Sequence, residues 1–324
     1  MTASAITRAI ARIREEERPV LIAAGFVLVI LIIGTAYTML TQGTAPLLSP
    51  NYLLQQLQTG AFLGICAAGM MVVILLGHID LSISWTLTTA AMMATAVGGE
   101  MAIPTGIAVG LAVGLFNGFG AAVLRIPSMI FTLGVDSVLR GLMVFHTGGF
   151  APQTDATPLM RFLASGRVLG IPSAVFVWAL VSIVIAVMLS RTAFGRAIYA
   201  TGSREAAAYL SGIRTRLVII GAFVCSGVCA AIAGILLAGY ATQAYQGMGN
   251  IFLLPSIAAV VLGGTHILGG RGRYIGTLVG VILIVLLNSV LSMMQMPEAV
   301  RQIIYGAVII AMLLVYGRNS KVTF

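Results

Sequence analysis

The stretch ILLGHIDLSISW, residues 74–85, places a histidine and an aspartate between two long runs of apolar residues. The run before it begins near residue 54, and the run after it ends near residue 97. A charged side chain within hydrocarbon costs a few kcal/mol or more. We therefore expect that Asp80 either lies at the joint between two membrane helices or has a functional role. The stretch therefore predicts helices that cross a membrane and are joined by short polar segments.

The composition extends this prediction to the whole chain. Of the 324 residues, 59% are apolar and 8% are charged, with a mean hydropathy of +1.06, whereas a soluble domain is about a quarter charged. A hydrocarbon core about 30 Å thick needs roughly 20 apolar residues per helix. We predict an all-α polytopic membrane protein with about ten transmembrane helices, near residues 19–41, 54–76, 81–97, 103–124, 127–147, 171–190, 216–240, 250–264, 274–294 and 300–317. The eighth is short and contains Pro255, so it either spans the membrane or is a broken or re-entrant segment.

The basic residues predict the orientation, because cytoplasmic loops hold the excess of Arg and Lys. With the N-terminus inside, 14 of the 18 basic residues fall on the inner side, Arg140 falls within the fifth span, and Arg161, Arg167 and Arg301 fall outside. The expected parts are a cytoplasmic segment 1–18, one transmembrane domain 19–317 with an inner loop 191–216, and a cytoplasmic tail 318–324. The net charge of +9 then reflects topology, and no nucleic acid partner is expected because a basic exposed domain is missing.

The residues that carry catalysis in enzymes are sparse here. His78, His146 and His266 are isolated in the sequence, and neither a Ser-His-Asp grouping nor an HExxH motif is present. A phosphate-binding GxxxxGK[ST] loop is also absent, and the single lysine is Lys321 near the C-terminus. We therefore expect that the chain is not an enzyme, does not hydrolyse ATP by itself and has no cofactor. No disulfide framework or metal site is expected from the three cysteines, Cys66, Cys225 and Cys229.

Glycine spacing predicts close helix packing. Small residues on one stripe let helix backbones approach each other in lipid, and two such stripes are Gly106, Gly110, Gly114 and Gly118, and Gly272, Gly276 and Gly280. VVILLGHI (72–79) and VVLGGTHI (260–267) are weakly similar in sequence. This similarity suggests the hypothesis of an internal repeat of the kind found in transporters.

The inner loop 191–216 is expected to form a short helix near residues 203–212 outside the membrane. Ser203 is a candidate N-cap, Glu205 favours the positive end of the helix dipole, and Gly212 is suited to the left-handed conformation that ends a helix. Two interpretations stay open from these features: a solvated connecting loop, or a handle gripped by a cytoplasmic partner.

Four motifs in this chain resemble those of the ribose-type monosaccharide permeases of ATP-binding-cassette (ABC) importers. They are GHIDLSIS (77–84), IPSMIFTLGVDSVLRGL (126–142), GRAIYATGSREAAAYLSGI (195–213) and AAVVLGGTHILGGRG (258–272). Their order is the same as in the family, and they cover most of the chain from about residue 60 onward. The departures include His78, Ser203, Arg204, Trp85 and Asp136, which leave the sugar and the subfamily open.

The resemblance implies an inner-membrane permease subunit that translocates a monosaccharide or a related small polyol. Its implied partners are an ABC ATPase subunit, an extracytoplasmic sugar-binding protein, a second permease copy or sister permease, and the lipid bilayer. The resemblance further implies that the inner-loop helix seats on the ATPase through Arg204, Glu205, Ala207, Ala208, Tyr209, Ser211 and Gly212. The rival hypothesis is a gradient-driven secondary transporter, for which buried carboxylates on the path are few.

The remaining candidate residues each carry two interpretations. Asp80 is expected at the cytoplasmic mouth, where it either caps the next helix or forms an inner gate with His78. Asp136 and Arg140 lie four residues apart on the fifth span and are expected to pair, either as a structural clamp or as a polar lining of the path. Two outer-loop residues, Arg161 and Arg167, either dock the binding protein or are ordinary solvated charges.

Overall fold

A computed structural model of the chain describes residues 3–149 and 154–317. The predicted tail 318–324 and the side chains of the predicted N-terminal segment 1–18 lie outside the described part. Within it are thirteen α-helices: α1 (Ala3–Gln42), α2 (Pro50–Ile74), α3 (Ile83–Val97), α4 (Ala102–Ala122), α5 (Ser128–Thr147), α6 (Pro158–Ser165), α7 (Ser173–Arg191), α8 (Ala193–Ser203), α9 (Glu205–Leu210), α10 (Thr215–Ala241), α11 (Asn250–Leu262), α12 (Tyr274–Met293) and α13 (Glu298–Gly317). A two-stranded antiparallel hairpin, β1 (Arg167–Val168) and β2 (Ile171–Pro172), precedes α7.

The all-α polytopic fold is confirmed. Ten of the helices correspond one to one with the ten predicted spans, and among the described residues seven helices are long and apolar enough to cross a membrane. The remaining helices α6, α8 and α9 lie in the connections before and after α7. Two short 3₁₀ turns, Pro46–Leu48 and Gly99–Met101, precede α2 and α4.

Two of the ten helices are too short to span. At about 1.5 Å per residue, α3 with 15 residues and α11 with 13 are only about 20 Å long, against a hydrocarbon core of about 30 Å. The prediction of a full span at 81–97 is therefore wrong. Of the two alternatives left open for the eighth segment, the length of α11 favours the incomplete one. Pro255 is not the cause, since α11 continues through it. Instead, the preceding residues 242–249 are non-helical.

Both half-helices begin inside the bundle and run in opposite directions. The start of α3 is level with the middle of α10, where Ser226 donates a hydrogen bond to Asp80. From there α3 runs toward the end of α10, and its Leu87 packs against Gly234 of α10. The start of α11 lies beside α3, with the Gly249 N–H donating to Thr88 at 3.1 Å. From there α11 returns to the level at which α12 begins, because Gly263 packs on Gly276. We call that level, which α8 and α9 share, the α8–α9 end of the bundle, and the opposite level the far end.

Small residues let α4 and α10 touch along much of their length. Gly110 lies against the carbonyl of Gly227, Gly114 lies against Phe223 and Val224, and Gly118 lies against Ile220. The second stripe acts likewise, as Gly276 and Gly280 of α12 pack on the backbone of α11. The close packing predicted from glycine spacing is therefore confirmed for both stripes.

The inner loop folds differently from the prediction. It forms two helices, α8 and α9, with a break at Arg204, which is extended (φ −164°, ψ 100°). Ser203 is the last residue of α8 and donates its hydroxyl to the Tyr199 carbonyl at 2.8 Å, so it is not the predicted N-cap. Thr192 caps α8 by accepting from the Gly195 N–H at 3.1 Å. The role of Gly212 is confirmed, since it follows α9 in the left-handed region at φ 84°.

The glycine contact between α4 and α10 generates a prediction. A Cβ at Gly227 would overlap the Gly110 carbonyl oxygen and contact Gly114, so Gly227→Ala is expected to cost about 1–3 kcal/mol through overpacking. Gly25→Ala in α1 is the matched control, because nothing lies within 4 Å of its Cβ position. Thermal unfolding of the purified protein in detergent should show a lower midpoint for Gly227→Ala only, and equal midpoints would contradict this packing.

Candidate functional site

Four glycines bring three separate motifs together at the α8–α9 end. Gly77 follows α2, Gly202 lies near the end of α8, and Gly269 and Gly270 follow α11. The Gly270 N–H donates to the Leu75 carbonyl at 2.9 Å, and a Cβ at Gly202 would collide with that same carbonyl. Gly77 and Gly270 both have positive φ, 77° and 75°, which glycine adopts at no steric cost. We call these four residues the glycine junction.

Tyr199 ties α8 to this junction from the side. Its hydroxyl donates to the Gly272 carbonyl at 2.9 Å, and burial raises the pKa of the phenol above its ordinary value, so the donor proton is retained. α8 is thus packed against the turns that end both α2 and α11.

α9 has one side attached to the bundle and one side exposed. Glu205 pairs with Arg125 at 3.2 Å and accepts from the Thr215 hydroxyl at 3.2 Å, which joins α9 to the α4–α5 turn and to the start of α10. Ala208 is buried, whereas Tyr209 and Leu210 are 68% and 85% exposed. Ser211 donates to the Ala207 carbonyl at 2.9 Å and closes the last turn. Exposed Leu210 was missed by the sequence analysis, which had no signal for which face of this short helix is free.

Asp80 lies in the interior and not at the mouth of the bundle, which corrects the sequence-based expectation. The segment 75–82 turns back from the glycine junction into the bundle and leaves Asp80 1% exposed. One carboxylate oxygen accepts from the Ser82 N–H at 3.1 Å and from the Ser82 hydroxyl at 2.7 Å, and the other accepts from the Ser226 hydroxyl at 2.9 Å. Asn117 of α4 completes the cluster through the Ser82 hydroxyl at 2.7 Å. Asp80 therefore links the start of α3 with α10 and, through Ser82, with α4.

Asp136 and Arg140 do not pair with each other. The two ion pairs among the described side chains are Arg125–Glu205 and Arg161–Asp155. Asp136 instead accepts from the Ser84 hydroxyl at 2.8 Å and from the backbone N–H of Trp85, and the Arg140 guanidinium lies 6.0 Å from the Trp85 ring centroid. Both side chains turn toward α3, because its first turn offers unpaired N–H groups and an aromatic face.

Asp136 and Arg140 belong to a longer series on α5. Ser128 lies 3.2 Å from the His78 ring and 3.4 Å from the Ile79 nitrogen, and Thr132 accepts from the Leu81 N–H at 2.9 Å. The four residues Ser128, Thr132, Asp136 and Arg140 recur every fourth position, so they share one helix face. We call them the polar ladder of α5. Sequence analysis noted only its last two members, although the spacing of all four was readable.

Known proteins match this chain over most of its length. The family described as "Branched-chain amino acid transport system / permease component" matches residues 52–313. A ribose import permease of Escherichia coli K12 is 36% identical over 84% of this chain and 89% of that protein. The chain belongs to the ribose-type permeases of ABC importers. It is a multi-pass protein of the inner membrane and a transport component.

Other relatives of this permease differ in the substrate that their names state. A ribose import permease of Bacillus subtilis is 35% identical over 84% of this chain and 87% of that protein. An autoinducer 2 import permease of Yersinia enterocolitica is 34% identical over 78% of this chain and 73% of that protein. No solved structure matches the permease.

The two arginines predicted to dock a binding protein lie at the far end of the permease. Arg161 of α6 pairs with Asp155 at 3.0 Å, and Asp155 also accepts from the Gln243 side chain at 3.0 Å. That hydrogen bond and the guanidinium hold the pKa of Asp155 below its ordinary value. Arg167 lies on the exposed hairpin. The guanidinium of Arg161 is thus engaged in an ion pair within the chain, whereas Arg167 forms no ion pair with another described residue.

The Asp80 cluster predicts different effects for two substitutions. Asp80→Ala leaves buried donors on Ser82 and Ser226 without an acceptor and is expected to destabilise the permease by about 3 kcal/mol or more. Asp80→Asn keeps one acceptor oxygen, and the Ser226 hydroxyl can turn to accept from the new amide, so a smaller loss of about 1–2 kcal/mol is expected. Unfolding midpoints and the yield of inserted protein measure both. An Asp80→Asn variant that is as unstable as Asp80→Ala would contradict this account.

The polar ladder predicts which residues are energetically coupled. In double-mutant cycles, Asp136→Ala and Ser84→Ala should couple by about 0.5–3 kcal/mol because their side chains are bonded. Asp136→Ala and Arg140→Gln should couple less, because each has its own partner on α3. Stability of the single and double variants in nanodiscs is the measurement. A larger coupling for Asp136 with Arg140 would restore the ion pair expected from the sequence.

Proposed function

We propose that this permease imports a monosaccharide or a related small polyol. In this proposal the solute arrives on an extracytoplasmic sugar-binding protein, and a separate ABC ATPase hydrolyses the ATP. A second copy or a sister permease completes the transmembrane path. The relatives named for ribose and autoinducer 2 import support the substrate class, and the lack of a phosphate-binding loop in the sequence supports a separate ATPase.

The α8–α9 pair is the observation that carries this proposal. It lies outside the apolar helices, exposes Tyr209 and Leu210, and is packed on the glycine junction from which a re-entrant segment enters the bundle. An ATPase bound to the exposed side of α9 would therefore push on the turns that follow α2 and α11. In this role Tyr209, Leu210 and Arg204 contact the ATPase. Glu205 is a positioning residue, because its carboxylate is engaged by Arg125 and Thr215.

Charge distribution supports a cytoplasmic location for the α8–α9 end and for both termini. This end carries many arginines, including Arg125, Arg196, Arg204, Arg214 and Arg271, whereas Arg161 and Arg167 lie at the far end. Cytoplasmic loops hold such an excess. The far end then faces the binding protein. Arg167 is the better docking candidate because it has no ion pair among the described residues, whereas Arg161 pairs with Asp155.

The exposed side of α5 is the proposed lining of the path. Arg140 is exposed in this single chain although it lies well within a membrane-spanning helix. An arginine at such a depth faces water or protein and not lipid. Gly134 and Gly141 on the same helix have open space at their Cβ positions, so another chain or a solute has room there. Asp80 and His78, by contrast, lie on the interior side of α5. In this proposal they do not contact the solute but fix the position of the re-entrant segment beside the path.

Reconstitution with a partner ATPase and binding protein tests this function. ATP-dependent accumulation of a sugar in proteoliposomes is expected from a panel of pentoses, hexoses and polyols. Tyr209→Ala should weaken ATPase association about tenfold, which corresponds to about 1.4 kcal/mol, and should lower transport-coupled ATP hydrolysis.

Tyr245→Ala is the matched control for Tyr209→Ala, because Tyr245 is an exposed tyrosine between α10 and α11 at the far end. It should leave ATPase association unchanged. Equal behaviour of the two variants would place the ATPase contact away from α9. Absence of uptake for every sugar, with uptake of a different solute class, would overturn the proposed substrate.

A further inference from the structure

A polar cavity opens at the far end of the bundle, away from the polar ladder. It has a volume of about 640 Å³, which is within the range of small-molecule pockets, about 300–1,000 Å³. The start of α2, the β1–β2 hairpin and the end of α10 form the walls of this open cavity. The polar side chains that line it are Ser49, Asn51, Tyr52, Gln55, Gln58, Arg167 and Tyr240.

The polar lining residues differ in whether their side chains make hydrogen bonds within the protein. Gln58 donates to the Ala164 carbonyl at 2.9 Å, and Tyr52 contacts the Ser289 hydroxyl, so these two are partly committed. The side chains of Asn51 and Gln55, in contrast, have no hydrogen-bond partner among the residues that the structure describes. Two amides that face a cavity without protein partners offer both donors and acceptors to a ligand.

The charges of the lining restrict the ligand. Arg167 contributes one positive charge, and no carboxylate is among the lining residues. Asp155, an acidic residue at the same end of the bundle, is not among the lining residues and is already engaged by Arg161 and Gln243. An ammonium group would therefore find a like charge and no counter-ion, which argues against a zwitterionic amino acid.

An acidic side chain of a partner protein fits less well than a neutral polyol. A carboxylate only accepts hydrogen bonds, so it could use Arg167 and the amide N–H groups but would leave the amide oxygens of Asn51 and Gln55 without a donor. A hydroxyl group both donates and accepts and can satisfy either end of an amide. The rings of Tyr52 and Tyr240 add apolar surface for the C–H groups of such a molecule.

We infer that this cavity binds a neutral polyhydroxyl molecule of monosaccharide size, as an outer acceptor site within one permease chain. The inference rests on the proposed import of a sugar or polyol. It adds a site that is distinct from the exposed face of α5, and it assigns Asn51, Gln55 and Arg167 as the groups that hold the solute.

Direct binding to the permease–ATPase complex in nanodiscs, without the binding protein, tests this site. D-ribose and ribitol are the probes, L-leucine is the zwitterionic comparison, and saturation-transfer NMR is the readout. The wild type should give transfer to both polyols and little to leucine. Gln55→Leu should reduce the transfer to the polyols several-fold, and Arg167→Met should do the same.

Gln56→Leu is the matched control, since it changes the same residue type one position further along α2 and outside the cavity lining. It should bind like the wild type. Equal transfer for Gln55→Leu and the wild type, equal loss in Gln55→Leu and Gln56→Leu, or stronger binding of leucine than of the polyols would each overturn the inference. Unfolding midpoints equal to that of the wild type ensure that a loss is not caused by misfolding.

Uptake measurements separate the two proposals. ATP-driven uptake of a sugar by the complete wild-type transporter, without detectable binding of either polyol to the nanodisc complex, would overturn the cavity site and leave the proposed function intact. Uptake of a solute class other than sugars and polyols would overturn the proposed function itself.

Discussion

Non-helical backbone inside the bundle needs hydrogen-bond partners, and the rest of this structure depends on how they are supplied. Residues 75–78 still bond back to the last turn of α2, but residues 79–82 enter the interior without helix hydrogen bonds of their own. An unpaired backbone group in apolar surroundings costs several kcal/mol. Ser128 and Thr132 of α5 supply oxygens to the N–H groups of residues 79 and 81, and Asp80 accepts from that of residue 82. α3 can begin inside the bundle because these partners are in place.

This requirement explains why charged side chains occur in an otherwise apolar protein. Asp80 and Asp136 lie at the start of α3, where N–H groups are unpaired and the helix dipole is positive. One carboxylate comes from the re-entrant segment itself and the other from α5. The start of α11 is satisfied differently, through the Thr88 hydroxyl, so the two half-helices are related in position but not in chemistry.

The glycine junction places the surface of the protein close to this interior. The Leu75 carbonyl accepts from Gly270 and lies against Gly202, and only four residues separate Leu75 from Asp80. A displacement of α8 would thus meet the backbone that leads directly to the polar ladder. Because backbone packs directly on backbone here, no flexible side chain lies between the two segments that could change rotamer to accommodate such a movement. In the proposed coupling role of α8 and α9, these backbone contacts are the link to the interior.

Much of the architecture was predictable from local sequence. Run length and composition located the ten apolar helices, because burial of a helix in hydrocarbon depends on its own residues. They left a broken or re-entrant eighth segment as one of two alternatives. Four ordered motifs were enough to identify the family. The stripes of small residues predicted close helix packing, since a missing side chain is itself a local property.

Tertiary structure alone decided the depth of Asp80, the half-helix character of α3 and the partners of Asp136 and Arg140. A run of 17 apolar and hydroxyl residues at 81–97 does not reveal that its start lies at the middle of α10. Spacing of four on α5 allowed a pair, but the unpaired N–H groups and the ring of Trp85 on a different helix offered better partners. The physical reason is that hydrogen bonds and cation contacts are made with whatever neighbour packing brings within reach, and that neighbour is not encoded in the spacing of one helix.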